Sequence, residues 1–376
     1  MAGIIQGLLA SFASLAALRL YVWGAGTQGQ IGNSTVESQS SPVQVGALTD
    51  WSQPAGGRYH SAAIKNDNTL WTWGHNQQGQ LGLGNFTFRS SPTQVGALTN
   101  WAQVSASFST RVGSGGFTAS VKTDGTLWGW GNNSYGQVGV GPSPNSPVQI
   151  GAASDWAKVA AGGDGHTIAV KTTGTLWALG RNSMGQLGDN TVVAKSSPVQ
   201  IGALTSWKQP SAGRFFSVAL RDNGSIWSWG NGQAGRLGNN STVYRSSPVQ
   251  VGTITTWKEV RCGNYHVLAV RDNNTLWAWG NNLNGQLGTG NAIYRSSAVQ
   301  VGALTNWAFD SYKFAGGYQH SVAVKTDGTV WAWGLNTDGQ LGYRTTLRSS
   351  PSQIGSGTNW YRASAGAKHT LATTKN

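Results

Sequence analysis

The stretch LWAWGNNLNGQLG, from Leu276 to Gly288, recurs in near copies that begin at Leu70 (LWTWGHNQQGQLG) and at Val330 (VWAWGLNTDGQLG). Its first five residues have the alternation of a short β-strand, because successive side chains of a strand point to opposite faces of the sheet. The glycines that follow allow turns with positive φ and close approach of two backbones. The stretch therefore predicts a repeated strand and turn, which belong to the scaffold of the fold.

Three tryptophan registers show how often the unit is repeated. The first is the Trp-Gly step, the second lies two residues before it, and the third opens the next unit. Together they account for all 19 tryptophans, and the unit recurs every 49 to 57 residues. This period is typical of propeller blades and longer than that of most helical solenoids. The first register contains Trp23, Trp73, Trp130, Leu179, Trp229, Trp279 and Trp333, so the sequence contains seven copies.

Each copy has the pattern of four short strands. In the unit that opens at Trp257 the first three are WKEVRCG (257–263), YHVLAVR (265–271) and LWAWG (276–280), and the outer strand has the pattern SSPVQVG, as at 246–252. Asn, Asp and Gly between the second and third strands are typical of tight β-hairpin turns. The sequence predicts an all-β, seven-bladed propeller with four-stranded antiparallel blades. Its last blade combines residues 355–376 with residues 20–45, which leaves 1–19 as a separate segment before the propeller (20–376) and removes a free sheet edge.

The consensus SSPVQVGALTxWxxxxAGxxHSxAVKTDGTLWAWGxNxxGQLG resembles the regulator of chromosome condensation repeat, and the resemblance covers residues 20–376. It implies a seven-bladed β-propeller. The copies are unusually uniform, which is more similar to bacterial and bacteriophage members than to eukaryotic ones. The eukaryotic members imply nucleotide exchange on a small GTPase coupled to chromatin binding. This chain has few acidic residues and no long inserted wedge for such a partner, and we expect no binding of nucleic acid.

Catalysis is not predicted, and neither a cofactor nor a metal is expected. Five of the six histidines share one repeat register, which Phe117 and Phe216 occupy in the other two copies. A metal ligand or a general base cannot be replaced by Phe, so we interpret these histidines as packed rings. They are His60, His166, His266, His320 and His369. Cys262 lies where other copies have Ala or Gly, which favours a small packed residue over a reactive thiol.

Basic residues follow the period as well, and the formal net charge is +13. One set, here called the hairpin ring, precedes the hairpin turn, and a second set, the outer-strand ring, precedes the outer strand. We expect them near opposite faces of the disc, either as a solvated edge or as an electrostatic contact surface. The hairpin ring contains Lys65, Lys122, Lys171, Arg221, Arg271 and Lys325; the outer-strand ring contains Arg89, Lys195, Arg245, Arg295 and Arg348.

Two copies have insertions, at 105–117 and at 309–320. Both are predicted to lie near the connection of the first and second strands, and therefore on one face of the propeller. Insertions in repeats often mark a binding face, although a longer loop without a role is the alternative. Four side chains are the candidate binding face: Phe108, Arg111, Tyr312 and Lys313.

The segment 1–19 is apolar and has Arg19 as its only charged side chain. It lacks the basic region of a secretory signal and is too short and too rich in glycine to span a membrane. Because the propeller closes without it, we expect its apolar side chains to anchor the chain to other subunits of an assembly: Ile4, Ile5, Leu8, Leu9, Phe12 and Leu15.

These observations predict a non-catalytic structural protein of a bacteriophage virion. It would be associated with the tail or the capsid, as a docking adaptor or as a contact with an anionic host surface. Two alternatives stay open. One is the GTPase exchange and chromatin regulator, with a cytoplasmic location; the other is a lectin-like protein that binds glycans through its aromatic loops.

Overall fold

The computed structural model describes residues 17–108, 116–139, 141–310, 312–344 and 346–375. Within these residues the chain forms 28 β-strands in seven four-stranded antiparallel sheets. The first eight strands in chain order are β1 (Leu18–Gly24), β2 (Gln39–Gln44), β3 (Trp51–Gly56), β4 (His60–Lys65), β5 (Leu70–Gly74), β6 (Arg89–Gln94), β7 (Trp101–Ala106) and β8 (Phe117–Lys122). The next ten are β9 (Leu127–Gly131), β10 (Val148–Gln149), β11 (Trp156–Ala161), β12 (His166–Lys171), β13 (Leu176–Gly180), β14 (Lys195–Gln200), β15 (Trp207–Ala212), β16 (Phe216–Arg221), β17 (Ile226–Gly230) and β18 (Arg245–Gln250). The last ten are β19 (Trp257–Cys262), β20 (His266–Arg271), β21 (Leu276–Gly280), β22 (Arg295–Gln300), β23 (Phe314–Gly316), β24 (His320–Val324), β25 (Val330–Leu335), β26 (Leu347–Gln353), β27 (Trp360–Ala365) and β28 (His369–Lys375).

Each sheet is one blade of a propeller. Blades 1 to 6 are consecutive groups of four strands from β3 to β26, and blade 7 has the order β27, β28, β1, β2 from inside to outside. The first strand of every blade contacts the first strands of both neighbouring blades, so these strands surround the central axis. The predicted all-β, seven-bladed fold with four-stranded antiparallel blades is confirmed.

Blade 7 closes the ring with strands from both ends of the propeller. β1 pairs with β28 in continuous register from Leu18 opposite Lys375 to Gly24 opposite His369. The predicted closure is confirmed in outline, but β1 begins at Leu18 instead of Leu20.

The core lies between the blades and is built from the repeated tryptophans. Trp51 and Trp73 of blade 1 pack against Leu20, Val22 and Leu371 of blade 7. The two indoles meet edge to face with centroids 6.0 Å apart, an arrangement that contributes about 0.5–1.5 kcal/mol beyond area burial. Equivalent clusters fill the other gaps between blades.

The turn of the GQLG pattern, which reads GQIG at 29–32, connects blade 7 to blade 1. The indole of Trp73 donates a hydrogen bond of 2.9 Å to the carbonyl of Gln30, which lies in the loop of the preceding blade. Gly32 of the same turn has φ +83°, and a Cβ there would lie 2.6 Å from Nε1 of Trp73. Only glycine therefore allows this turn to approach the ring, as expected for a repeated scaffold motif.

Two faces follow from the direction of the strands. The hairpin face carries the turns between the second and third strands and the start of each first strand; in blade 5, Trp257 lies opposite Arg271 there. The loop face carries the connections between the first and second strands and between the third and fourth strands; Gly280 and Arg295 are paired beside it. These two faces present the side chains that remain available for binding.

Candidate binding faces

The hairpin ring is part of the packing between tryptophans. The side chains of Lys65, Lys122 and Lys325 are only 5–6% exposed. The amino group of Lys325 lies 3.6 Å from the ring centroid of Trp331 and 5.2 Å from that of Trp307. Burial lowers the pKa of Lys325, and Asp327 partly offsets this effect. Because a cation over an indole face is stabilised by the ring quadrupole, these lysines act in the core, and a solvated edge does not describe them.

The other three members are half-buried and show the same arrangement. Lys171 lies 5.0 and 4.9 Å from the centroids of Trp156 and Trp177. Arg221 and Arg271 lie 5.8 and 5.7 Å from Trp227 and Trp277. Every predicted member of the hairpin ring thus contacts at least one tryptophan of its own blade.

The outer-strand ring lies on the loop face, so the predicted placement of the two rings near opposite faces is confirmed. Arg245 and Arg348 are exposed, whereas Arg89, Lys195 and Arg295 are half-exposed. Lys195 lies 3.8 Å from Asp189. This ring differs from the hairpin ring in having two exposed members, Arg245 and Arg348.

The repeated histidines connect adjacent blades. Each ring is completely buried, and its Nε2 lies 2.8–3.1 Å from a Ser or Thr hydroxyl of the following blade. Burial lowers the pKa of each of the five to about 3. In blade 4, Phe216 replaces the histidine, and Val267 occupies the hydroxyl position of blade 5 in the same apolar cluster. At this junction both positions are apolar, which agrees with the interpretation of packed rings.

Cys262 is buried in blade 5, and burial raises the pKa of its thiol to about 12. It packs in the cluster that contains Phe216, Val260 and Trp279. The thiol is therefore held in its neutral form, in agreement with the predicted packed role.

The described residues of the two insertions lie on opposite faces, so the prediction that the insertions share one face is wrong. Phe108 follows β7 on the loop face, where its carbonyl accepts a hydrogen bond of 3.4 Å from Asn264. Tyr312 and Lys313 precede β23 instead, because Phe314 takes the register of Val260 and pairs with Ala323. The extra residues of blade 6 are therefore added at the start of the first strand, on the hairpin face.

Tyr312 points into the central channel. Its hydroxyl accepts a hydrogen bond of 2.6 Å from the side chain of Gln53, and the guanidinium of Arg261 lies 4.4 Å from its ring centroid. Arg261 pairs with Glu259 at 2.7 Å. Burial raises the pKa of Tyr312. This side chain bridges blades 6 and 1 across the axis.

Lys313 lies against blade 7. Its amino group donates a hydrogen bond of 2.8 Å to the carbonyl of Tyr361 and lies 3.6 Å from that ring's centroid. Burial and the nearby cations Lys375 and Arg362 lower its pKa to about 8. Arg111 lies outside the described residues, as do the six predicted anchor residues: Ile4, Ile5, Leu8, Leu9, Phe12 and Leu15. A binding role for any of these candidates stays a prediction.

A continuous stack of arginine and aromatic side chains crosses the loop face. Arg181 lies 4.7 Å from the ring centroid of Tyr135 and 5.1 Å from that of Phe215. Arg214 follows, 4.9 Å from Phe215 and 5.6 Å from Tyr265. The stack, here called the loop-face stack, ends with Tyr318, and its members are half-exposed: Tyr135, Arg181, Phe215, Arg214, Tyr265 and Tyr318.

The loop-face stack is held rigid from below. Arg214 forms an ion pair of 3.0 Å with the buried Asp164 and donates a hydrogen bond to the hydroxyl of Tyr265. The rings of Tyr265 and Tyr318 lie 5.4 Å apart. Although burial alone would lower it, Asp164 and Tyr265 raise the pKa of Arg214. Its charge is therefore fixed in place beside exposed aromatic surface.

Sequence reasoning did not find the loop-face stack, although a signal exists. Tyr59, Phe215 and Tyr265 occupy the same position, immediately before the histidine register. Arg181 and Tyr135, by contrast, come from the loops after the third strands. Arg181 meets Phe215 because two different kinds of loop from adjacent blades lie side by side on the loop face. The repeat period alone does not show which loops meet.

Two further properties limit the kinds of site. Among the described residues, no group of three or more His, Cys, Asp or Glu is placed to hold a metal ion. In the same part of the chain, no helix has the length and apolar character needed to cross a membrane.

The fold and these faces define a closed seven-bladed β-propeller, which is a binding or regulatory fold. The family model of the RCC1-like domain matches residues 110–376, and the model of the regulator of chromosome condensation (RCC1) repeat matches 19–64 and 67–108. The chain belongs to the RCC1-like domain family. The predicted family is confirmed, whereas the resemblance to bacterial and bacteriophage members is not shown by these matches.

Solved structures share the fold at low sequence identity. Human WBSCR16 has a TM-score of 0.83 and 20% identity, over 96% of this chain and 99% of that one. Yeast RCC1 (Prp20) in complex with Kap60 has a TM-score of 0.81 and 18% identity, over 96% and 90%. Prp20p of Saccharomyces cerevisiae, described with its binding properties to Gsp1p and histones, has a TM-score of 0.80 and 18% identity, over 96% and 92%. Comparison with curated protein sequences finds no significant match.

Proposed function

We propose that this chain is a non-catalytic binding propeller that presents its loop face to a protein partner with an acidic surface. The observation that carries this proposal is the loop-face stack. Tyr, Phe and Arg are the residues enriched at the centres of protein interfaces. Here they are half-exposed, contiguous and fixed by Asp164. Because the side chains are already ordered, binding loses little of their conformational entropy.

The charge distribution supports an acidic partner. The exposed arginines of the outer-strand ring, Arg245 and Arg348, surround the same face as Arg181 and Arg214. Complementary charge at the rim increases the association rate, and buried aromatic groups at the centre determine the lifetime of the complex.

The test uses the macromolecular assembly in which this protein occurs, isolated from the organism or particle that produces the protein. Purified full-length chain is reconstituted with chain-depleted assembly, and retention is compared for wild type, Arg181→Ala and Tyr265→Ala. Lys258→Ala on the hairpin face is the matched control. We expect the two loop-face variants to lose at least about tenfold in affinity, as hot-spot residues do, and the control to bind normally. Equal binding by all four proteins contradicts the proposal.

We further propose that the assembly is a bacteriophage virion, in which the chain is a tail-associated or capsid-associated adaptor anchored by residues 1–19. The uniform repeats and the apolar segment support this proposal. The propeller from Leu18 closes by itself, so a chain that starts at Leu18 can be compared with the full-length chain by mass photometry and by incorporation into particles. We expect only the full-length chain to be incorporated. Equal incorporation of both chains contradicts the role of the segment.

The exchange-regulator hypothesis is the second candidate, because the fold matches that of yeast Prp20 over 96% of the chain. A nucleotide-release assay on a small GTPase tests it. Acceleration that is lost in Tyr265→Ala would favour this function over the virion adaptor. A glycan array tests the lectin hypothesis in the same way, with loss of binding in Phe108→Ala as the supporting result.

A further inference from the structure

The hairpin face contains a cavity that the proposed function does not use. It has a volume of about 460 Å³ and lies at the mouth of the central channel, where the first strands begin. Blades 1 to 5 and the inserted loop of blade 6 provide its walls. Its charged lining residues are Lys158, Lys208, Lys258, Glu259, Arg261 and Asp310.

The floor of this cavity is rigid. Gln103, Arg261 and Tyr312 also line the narrower cavity of about 90 Å³ deeper in the channel, so they separate the two spaces. Tyr312 is held by Gln53 at 2.6 Å, and Arg261 is held by Glu259 at 2.7 Å. A ligand in the mouth therefore rests on a preformed surface, which reduces the entropy lost on binding.

Three lysines from consecutive blades project positive charge into the mouth. Lys158, Lys208 and Lys258 are exposed, and among the described residues no carboxylate lies within 4 Å of their amino groups. The buried carboxylate of Glu259 is occupied: one oxygen binds Arg261 and the other accepts a hydrogen bond of 3.1 Å from the backbone N–H of Asp310. The lining contains four cations, the three lysines and Arg261, against the two carboxylates of Glu259 and Asp310. The concave space therefore has a net positive charge, and its shape concentrates the field.

Lys158 occupies a position where blade 2 has a glutamine that hydrogen-bonds the next blade. In the same register of blade 2, the side-chain carbonyl of Gln103 accepts a hydrogen bond of 2.9 Å from the N–H of Val159 in the next blade. In blade 3 the next blade presents Pro210, which has no N–H. Gln103 makes two hydrogen bonds to Val159, one to its carbonyl and one from its N–H. In blade 3 the bond that needs an N–H cannot form, and Lys158 occupies the position of the glutamine. Burial and the repulsion of Arg261 lower the pKa of Lys158, and the attraction of Glu259 offsets only part of this effect.

We propose that the mouth of the channel, defined by Lys158, Lys208 and Lys258, binds a compact polyphosphate. Lysine amino groups bind phosphate oxygens as point charges, and three of them at one mouth offer several positive charges to the several negative charges of a short phosphate chain. The site lies on the face opposite the loop-face stack. If the polyphosphate proposal fails, the proposed protein-binding role of the loop face is therefore unaffected. If the loop-face proposal fails, the polyphosphate site is equally unaffected.

The test is isothermal titration of the full-length chain with inorganic tripolyphosphate at low ionic strength. Three single variants are compared: Lys158→Gln, which restores the residue found in the equivalent register, Lys208→Ala and Lys258→Ala. Lys195→Ala on the loop face is the charge-matched control. We expect each of the three to weaken binding about tenfold, as loss of a charged hydrogen bond does, and the control to bind like wild type. Thermal unfolding of each variant confirms that it is folded.

Three results would overturn the proposal. The first is no binding of tripolyphosphate to wild type. The second is equal loss in the Lys195→Ala control, which indicates attraction by net charge alone. The third is tighter binding of a sulfated disaccharide or of a short single-stranded oligonucleotide than of tripolyphosphate, in a competition at matched charge. Tighter binding of tripolyphosphate that depends on the three lysines supports it.

Discussion

The two basic rings are equally periodic in the sequence, yet the fold uses them differently. The hairpin ring lies against tryptophan faces, and Lys325 is 6% exposed, whereas Arg348 of the outer-strand ring is exposed on the loop face. The difference arises because the last residue of a second strand is enclosed by tryptophans of the first and third strands, while the first residue of an outer strand has solvent on one side. Periodicity shows that a position recurs, but its surroundings decide whether its charge stabilises the core or binds a partner.

The largest expected effect concerns the histidine register, which is buried even more deeply than the hairpin ring. Its five pKa values are lowered to about 3 in the folded chain from 6.5. The unfolded chain takes up protons as the pH falls below 6.5, so stability is lost from there down to about pH 3. At pH 5.5 each histidine costs about 1.4 kcal/mol, and all five about 7 kcal/mol. Urea unfolding followed by tryptophan fluorescence at pH 7.5 and 5.5 measures the loss.

A control for this prediction comes from the chain itself. His266→Phe combined with Ser321→Val copies the pair Phe216 and Val267. We expect this double variant to lose about one fifth of the pH dependence, because one of five titrating groups is removed. A free energy of unfolding that is the same at both pH values in the wild type would show that the histidines are not buried in neutral form.

The second-largest expected effect is a difference in the free energy of unfolding between one variant in the hairpin ring and one in the outer-strand ring. In Lys325→Glu a buried carboxylate replaces the ammonium between two indole faces, so we expect the free energy of unfolding to fall by about 3 kcal/mol or more. In Arg348→Glu the same change of charge occurs at an exposed site, and we expect a change within about 0.5 kcal/mol. Chemical denaturation of both variants at pH 7.5 makes the comparison. Similar losses in the two variants would remove the distinction between the rings.

A smaller effect is expected in the inserted loop of blade 6. Tyr312→Phe keeps the ring beneath Arg261 but removes the acceptor for Gln53. We expect a loss of about 1 kcal/mol in the free energy of unfolding, the usual value for one hydrogen bond. Tyr343→Phe, which removes a hydrogen bond of 3.0 Å to the carbonyl of Ala332, is a comparison outside the channel. If Tyr312→Phe alone causes no loss, the side chain does not bridge the blades.

The smallest effect involves no change in sequence. Burial raises the pKa of Cys262 to about 12, so only about one thiol in ten thousand is ionised at pH 8. We expect no measurable reaction with a disulfide reagent over an hour in the native state and complete reaction in denaturant. Rapid modification of the native protein would show that Cys262 is accessible to solvent and would contradict its buried position.

Much of the fold could be predicted from the sequence because the repeat encodes it locally. The tryptophan registers, the Asx turns and the alternation of LWAWG determine the strands of each blade, and the missing third strand of the last copy predicts the closure with β1. The start of β1 at Leu18 was missed because the other copies have hairpin-turn residues at these two positions, such as Asn274 and Thr275. Leu18 and Arg19 instead pair with Lys375 and Thr374.

The sites were less predictable, because they depend on contacts between different blades. The insertion of blade 6 was predicted to lie near the same connection as that of blade 2, but the pairing of Phe314 with Ala323 places its extra residues before the strand instead of after it. Likewise, Lys158 stands where blade 2 has Gln103, and the reason for this difference is visible only beside Pro210 of the next blade, which has no N–H to donate. Such relations appear only when the blades are placed side by side.

The loop-face stack is the central claim, and hydroxyl-radical footprinting tests it most directly. The full-length chain is labelled alone and within the assembly purified from its source, and oxidation of each aromatic residue is measured by mass spectrometry. The account predicts protection of Tyr135, Phe215, Tyr265 and Tyr318, with Tyr361 on the hairpin face unchanged. Protection confined to Tyr361 and its neighbours, with the loop-face aromatics oxidised equally in both states, would contradict it.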